Sequence, residues 1–181
     1  MKHVLVLFLL LSLGIWGCDG NEEIADLPPY VGPMMEADSI ETLYSDSAVV
    51  RIRVEAPKRF EYDNGNSEFP QGIYIEFYEP DGSTSSTLKA DKGYYFRERD
   101  RYTAVGNVLI DGKKDHNSLH TDTLHWSPPT QRIFTKARVM ITEKLDTLWG
   151  VGLEAKQDFS EYTILNPEGT TMLSDDDDEE Q

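Results

Sequence analysis

One cysteine, Cys18, stands in the whole chain, so no disulfide within a molecule can brace the fold. Stability has to come from a packed core. Cations are scarce as well: 17 Lys and Arg face 33 Asp and Glu, a formal charge of −16. Nucleic acid is excluded on that ground, because neutralising phosphates needs a basic face. No apolar run is long enough to span a bilayer. The longest, Val4 to Trp16, falls short of the roughly 20 residues a crossing helix needs. Also missing are a Gly-x-Ser-x-Gly elbow, a His-Glu-x-x-His pair and a phosphate-binding glycine loop, so no common catalytic signature is present.

What is there begins with that short apolar run. Lys2 precedes it and Ile15-Trp16-Gly17-Cys18 ends it, which fits residues 1–17 as a signal peptide with a small residue before the cysteine. The ending resembles a bacterial lipobox, which makes Cys18 the expected lipid-attachment site and residues 1–17 the removed leader. Several acyl groups at one cysteine would give an anchor that a single chain does not. Asp19 to Asp38 holds six acidic residues and no Lys or Arg, with Pro28, Pro29 and Pro33 among them. It reads as an extended tether over 18–38. Residues 171–181, with the run Asp175 to Glu180, read as a disordered acidic tail. Between the two, residues 39–170 are one domain's worth of chain.

In that domain the sequence period is two. Val50, Ile52 and Val54 share one face of "VVRIRV", with Arg51 and Arg53 on the other; Ile73, Ile75 and Phe77 do the same in "GIYIEFY". Turn sequences at Asp63 ("DNGN"), Glu79 ("EPDG") and Ile110 ("IDGK") separate the strands. The expectation is an antiparallel meander. Only Asp38 to Tyr44 reads as a short helix or turn.

The segment Leu88–Ile110 aligns without a gap onto Leu119–Ile141. Identities fall at Leu88/Leu119, Asp91/Asp122, Arg101/Arg132, Val108/Val139 and Ile110/Ile141, and Tyr95 matches Trp126. A more diverged third copy starts at Leu153. Both full copies slip in phase. Leu88 and Ala90 are followed by Gly93 and Tyr95 at the opposite parity, and Leu119 and Thr121 by Leu124 and Trp126. A β-bulge near Asp91 and Asp122 restores a single apolar face. Each copy then supplies two strands, and stacking them curls the sheet around an interior. The inward series Tyr102, Ala104, Gly106, Val108, Ile110 and Ile133, Thr135, Ala137, Val139, Ile141 mixes large with small residues. Small residues midway along facing strands leave room for a chain-like guest, or else merely let strands cross.

"LKADKGYYFRERDRYTAVGNVLI" and "GVGLEAKQDFSEYTILNPEG" resemble LptC, the periplasmic membrane-anchored component of lipopolysaccharide export, and the wider group of OstA-like domains. The resemblance spans about residues 40–170. It implies an all-β antiparallel β-jellyroll, or β-taco, with an apolar groove for lipid A acyl chains. The lining would be Val50, Ile52, Val54, Ile73, Ile75, Phe77, Leu88, Ala90, Tyr95, Tyr102, Ala104, Val108, Ile110, Leu119, Trp126, Ile133, Ala137, Val139, Ile141, Phe159 and Ile164. It further implies three partners: lipopolysaccharide, an inner-membrane ABC transporter complex and a periplasmic bridge protein of the same fold. The N-terminal strand, Val49 to Val54, is expected at the transporter and the C-terminal strand, Tyr162 to Asn166, at the bridge. One departure stands out. The family's best-known members keep a membrane-spanning helix, where this chain has a cysteine suited to acylation at the periplasmic face of the inner membrane.

His116, His120 and His125 with Asp115 and Asp122 lack a metal-ligand spacing, and Asp91 with Asp122 occupies a repeat position that suits a bulge rather than acid–base work. No cofactor and no catalytic residue is assigned. Two other classes stay open: a structural adaptor with a solid interior, and an outer-membrane or surface lipoprotein binding another amphiphile or a glycan.

Overall fold

The computed structural model describes residues 30–114, 116–143 and 146–169. Residues 1–17, Cys18, most of the expected tether and the acidic tail lie outside the described residues. Eleven strands form one antiparallel sheet: β1 (Met35–Asp46), β2 (Val49–Glu61), β3 (Ser67–Phe69), β4 (Ile73–Tyr78), β5 (Thr84–Ala90), β6 (Lys92–Phe96), β7 (Arg101–Gly112), β8 (Asn117–Ser127), β9 (Arg132–Glu143), β10 (Asp146–Lys156) and β11 (Tyr162–Glu168). The all-β jellyroll expectation holds.

The segment expected as a short helix, Asp38 to Tyr44, is instead part of β1. Ile40, Thr42 and Tyr44 alternate with exposed Glu41 and Leu43, and the strand pairs along β2 from Met35↔Glu61 to Asp46↔Val49. A period of two outweighs helix-forming residue types once a neighbouring strand satisfies the backbone. Two expectations shift with it. The first strand starts at Met35, inside the expected tether. The segment Val49 to Val54 is not the N-terminal edge, because β1 covers it, and among the described residues β1 is the edge, paired with β2 alone. At the other end, among the described residues, β11 pairs only with β10.

β3 with β4, and β5 with β6, are two halves of single bent strands: β4 pairs with β5 and β3 with β6. The expected phase slip is real. Ala90 and then Gly93 are buried on one strand, and Thr121 and then Leu124 on the other. Pairing is irregular between Val105 and Val108 and between Thr121 and His125. Asp91 N–H donates to the Gly106 carbonyl at 2.9 Å, and Asn107 Nδ2 donates to Asp91 Oδ2 at 2.6 Å. The repeat also shows in the backbone. Its two copies turn through 3₁₀ segments at Arg97–Arg99 and Pro128–Thr130, each ending on a left-handed residue, Asp100 and Gln131.

The irregularity extends past the two copies. Ser39 and Gly72 have positive φ, Pro57 lies within β2 between the pairs Ala56↔Ile40 and Lys58↔Asp38, and pairing slips between Val151 and Leu153 at Gly152. A crease therefore runs across the sheet and folds it into two leaves. Phe77 on one leaf meets Trp126 on the other edge-to-face at 5.3 Å. The core between the leaves includes Val54, Ile75, Leu88, Val108, Ile110, Leu119, Ile133, Val139, Ile141 and Leu153, each 2% exposed or less.

Candidate functional site

Alternation places most of the expected lining on the inner face. Ile52, Val54, Ile73, Ile75, Phe77, Leu88, Ala90, Tyr102, Ala104, Val108, Ile110, Leu119, Trp126, Ile133, Val139, Ile141 and Phe159 form one buried cluster, and Tyr95 and Ile164 pack against it half-buried. Val50 and Ala137 are half-buried outside the cluster. Sequence reasoning omitted Ala56, Phe69, Leu124, Leu153 and Ala155 as lining, although all five are in the cluster. Three of them carried a signal: Leu124 in the phase slip, and Leu153 and Ala155 in the start of the third repeat copy, where they match Leu88 and Ala90.

Among the described residues the inner side chains pack against one another. The void lined by Ile73, Ile75, Leu88, Tyr102, Ala104, Leu124 and Trp126 is about 10 Å³, at most about one water's worth of room. The space expected from small residues has another explanation. Gly106 sits at the crease with φ +79°, and a Cβ there would lie 2.9 Å from Asp91 Oδ2. Ala137 is also at the crease, where its N–H donates to Thr135 Oγ1 at 3.0 Å. These residues bend the wall rather than leave room within it.

Aromatic rings join the leaves at one side. Trp126 stacks on Tyr102 at 5.0 Å, Tyr95 lies 4.8 Å from Tyr102, and Tyr44 from the edge strand meets Trp126 edge-to-face at 6.4 Å. The Tyr44 and Tyr102 hydroxyls share a 2.6 Å hydrogen bond. Burial, with the Tyr44 neighbour second, holds the Tyr102 hydroxyl far above its ordinary pKa, so this seal stays neutral. The β10–β11 turn closes the opening with Phe159 (φ +57°), stacked on Tyr162 at 5.4 Å. Its neighbours tie the two leaves: Ser86 Oγ donates to the Gln157 carbonyl at 2.8 Å and Trp126 Nε1 to Gln157 Oε1 at 3.1 Å.

Outside, Arg53 bonds Glu41 at 2.7 Å, Glu55 at 2.6 Å and Glu76 at 3.3 Å across three strands. Two clefts follow the crease on this outer side. One, of about 650 Å³, is bordered by Ile40, Ala56, Pro57, Gly72, Ile73 and Ala90 among others. The second, of about 680 Å³, is bordered by Lys89, Asn107, His120, Asp122, Arg138 and Trp149 among others. The histidines do not converge. His125 pairs with Thr103 Oγ1 at 3.0 Å and lies against Phe134, and no cluster of three metal-binding side chains occurs among the described residues. No helix among the described residues is long and apolar enough to cross a membrane.

No curated protein matches the chain. The family model described as "Lipopolysaccharide-assembly, LptC-related" matches residues 4–171, nearly the whole length. A folded antiparallel sheet with an apolar interior and that match lead to one conclusion: the chain belongs to the LptC family, a periplasmic component of the inner-membrane lipopolysaccharide-export complex, and its role lies in lipopolysaccharide transport.

Proposed function

We propose that the protein takes up lipid A acyl chains between its two leaves and passes lipopolysaccharide from the inner-membrane ABC transporter to the periplasmic bridge protein. The observation that supports this reading most is the continuous apolar lining bounded by two edge strands, each paired on one side only among the described residues. Each methylene removed from water contributes about 0.8 kcal/mol, so a chain of a dozen carbons gains roughly 10 kcal/mol from cover. Unpaired edges are templates for strand addition. In this reading β1 docks to the transporter and β11 to the bridge, and grooves joined edge to edge form one path. Because the inner side chains pack against one another, uptake separates the leaves along the crease, and the guest replaces the contacts that Trp126 and Phe77 make with each other. Cys18 carries the acyl anchor, with the acidic stretch after it as a tether at the periplasmic face of the inner membrane.

Photocrosslinkers at inward Val108 and Val139 test the uptake, with outward Glu154 as control. Crosslinks to lipopolysaccharide from the inward pair alone are expected; none from either position removes the carrier reading. A crosslinker at Thr163 on β11 that captures only the transporter reverses the polarity. Replacing Cys18 with Ala should release the protein from the membrane, and continued anchoring contradicts acylation. The packed interior favours a second reading, a structural adaptor of the export bridge that never admits lipid. It predicts bridge assembly with every inward crosslinker silent.

A further inference from the structure

The second outer cleft carries chemistry that acyl-chain binding does not use. It crosses five strands along the crease and meets the first cleft at Lys89, Ala90 and Asp91, so the two form an extended groove on the wall opposite the apolar interior. Trp149 stands on its border, 45% exposed, on the outer face and paired with Met140. An indole left this exposed in the middle of a sheet face keeps a large apolar contact area in water. Polar side chains of both signs follow it along the cleft: Arg138 on β9 and His120 and Asp122 on β8 stand on the two strands next to Trp149's, and Asn107, Lys89 and Asp91 lie farther along.

Several of these groups have bonding capacity to spare. The side chains of Lys89, His120 and Asp122 make no ion pair or hydrogen bond among the described residues. Asp91 uses one oxygen on Asn107 Nδ2, and Arg138 uses one nitrogen on Glu168 at 3.2 Å. A carboxylate accepts up to about four hydrogen bonds and a guanidinium donates five. A membrane surface or a polyanion would require cations of one sign. Alternating donors and acceptors beside a flat aromatic face suit instead a ligand that is polyhydroxylated on its edge and apolar on its C–H face. That is a sugar ring.

We propose that the crease groove is a saccharide site, with Trp149 as the stacking platform and Asp122, His120 and Arg138 binding hydroxyls or a sugar-borne anion. It rests on the proposed function in one respect: the saccharide is taken to be that of the glycolipid class the protein transports. The crease that bends the strands inward to close the core is also what hollows the outer surface.

The test titrates the full-length protein with deacylated lipopolysaccharide saccharide by calorimetry, so that no acyl chain contributes. Binding by the wild type is expected. It should weaken at least about tenfold, some 1.4 kcal/mol, in Trp149→Ala and in Asp122→Asn, and stay within about threefold in Trp149→Phe, which keeps a ring. Both positions are exposed, so folding is checked by unchanged circular dichroism. No binding by the wild type, or equal binding by Trp149→Ala, overturns the proposal. So does a Trp149→Ala variant that keeps the saccharide but loses a protein partner, because the groove is then a protein interface. Inward crosslinks to acyl chains from Val108 and Val139 are read separately, so either result can fail while the other stands.

Discussion

If the crease and not a guest cavity explains the small residues, then adding a single methyl group at Gly106 should be costly for reasons that a second substitution partly removes. Gly106 holds φ +79°, which costs an L-residue about 1–2 kcal/mol. The added Cβ falls 2.9 Å from Asp91 Oδ2, and Asp91 cannot yield freely because Asn107 Nδ2 holds it at 2.6 Å. Gly106→Ala should therefore destabilise by about 2–3 kcal/mol, the backbone and the displaced hydrogen bond together. Asp91→Ala alone loses that exposed bond, about 1 kcal/mol. In the double variant the clash is gone and only the backbone and the missing bond remain, so the cost falls about 1 kcal/mol short of the sum. Urea unfolding gives the three values by linear extrapolation, with m unchanged if both states keep their compactness. Thermal melts should follow, with a loss of roughly 4–8 °C for 2 kcal/mol in a domain of this size. A cost under about 0.5 kcal/mol for Gly106→Ala, or strict additivity in the cycle, would refute the account. Gly106 would then be a free position, and its small size would need the guest explanation after all.

Other outcomes follow from the same geometry. Trp126→Ala removes a fully buried indole and its contacts with Phe77, Tyr102 and Tyr44, and should cost about 3–5 kcal/mol in the same unfolding assay. Tyr44→Phe deletes the 2.6 Å bond to Tyr102 while keeping the ring, so about 1 kcal/mol is expected, together with faster amide exchange along β1. Burial first, and then the nearby Arg101 charge, lowers the His125 pKa in the fold. The unfolded chain therefore binds the proton more readily. Stability is present above the ordinary histidine pKa of about 6.5 and is lost as pH falls through it towards the folded value. The difference in unfolding free energy between pH 7.5 and pH 5.5 should be smaller in His125→Gln than in the wild type, and an unchanged difference would sink the assignment.

The sequence by itself determined the strand class, the inward face and the place of the bend. Those are local properties: a period of two in "VVRIRV" and "GIYIEFY" marks which side is apolar, and the parity change after Ala90 and after Thr121 marks where a strand must bulge. It misread Asp38 to Tyr44 because those residue types tolerate a helix, and only pairing along β2 selects the strand. Gly152 and Pro57 were available as punctuation inside strands, yet nothing local says that they align with Asp91 and Gly106 into one crease. That alignment depends on register, which is set across the sheet. Whether the leaves stand apart or close is likewise decided by the tertiary structure, since side-chain volumes from Phe77, Tyr102, Trp126 and Phe159 meet only after the sheet folds. The crease groove is the same kind of feature: Lys89, Asp122, Arg138 and Trp149 come from four strands and share a surface only because the crease brings them along one cleft.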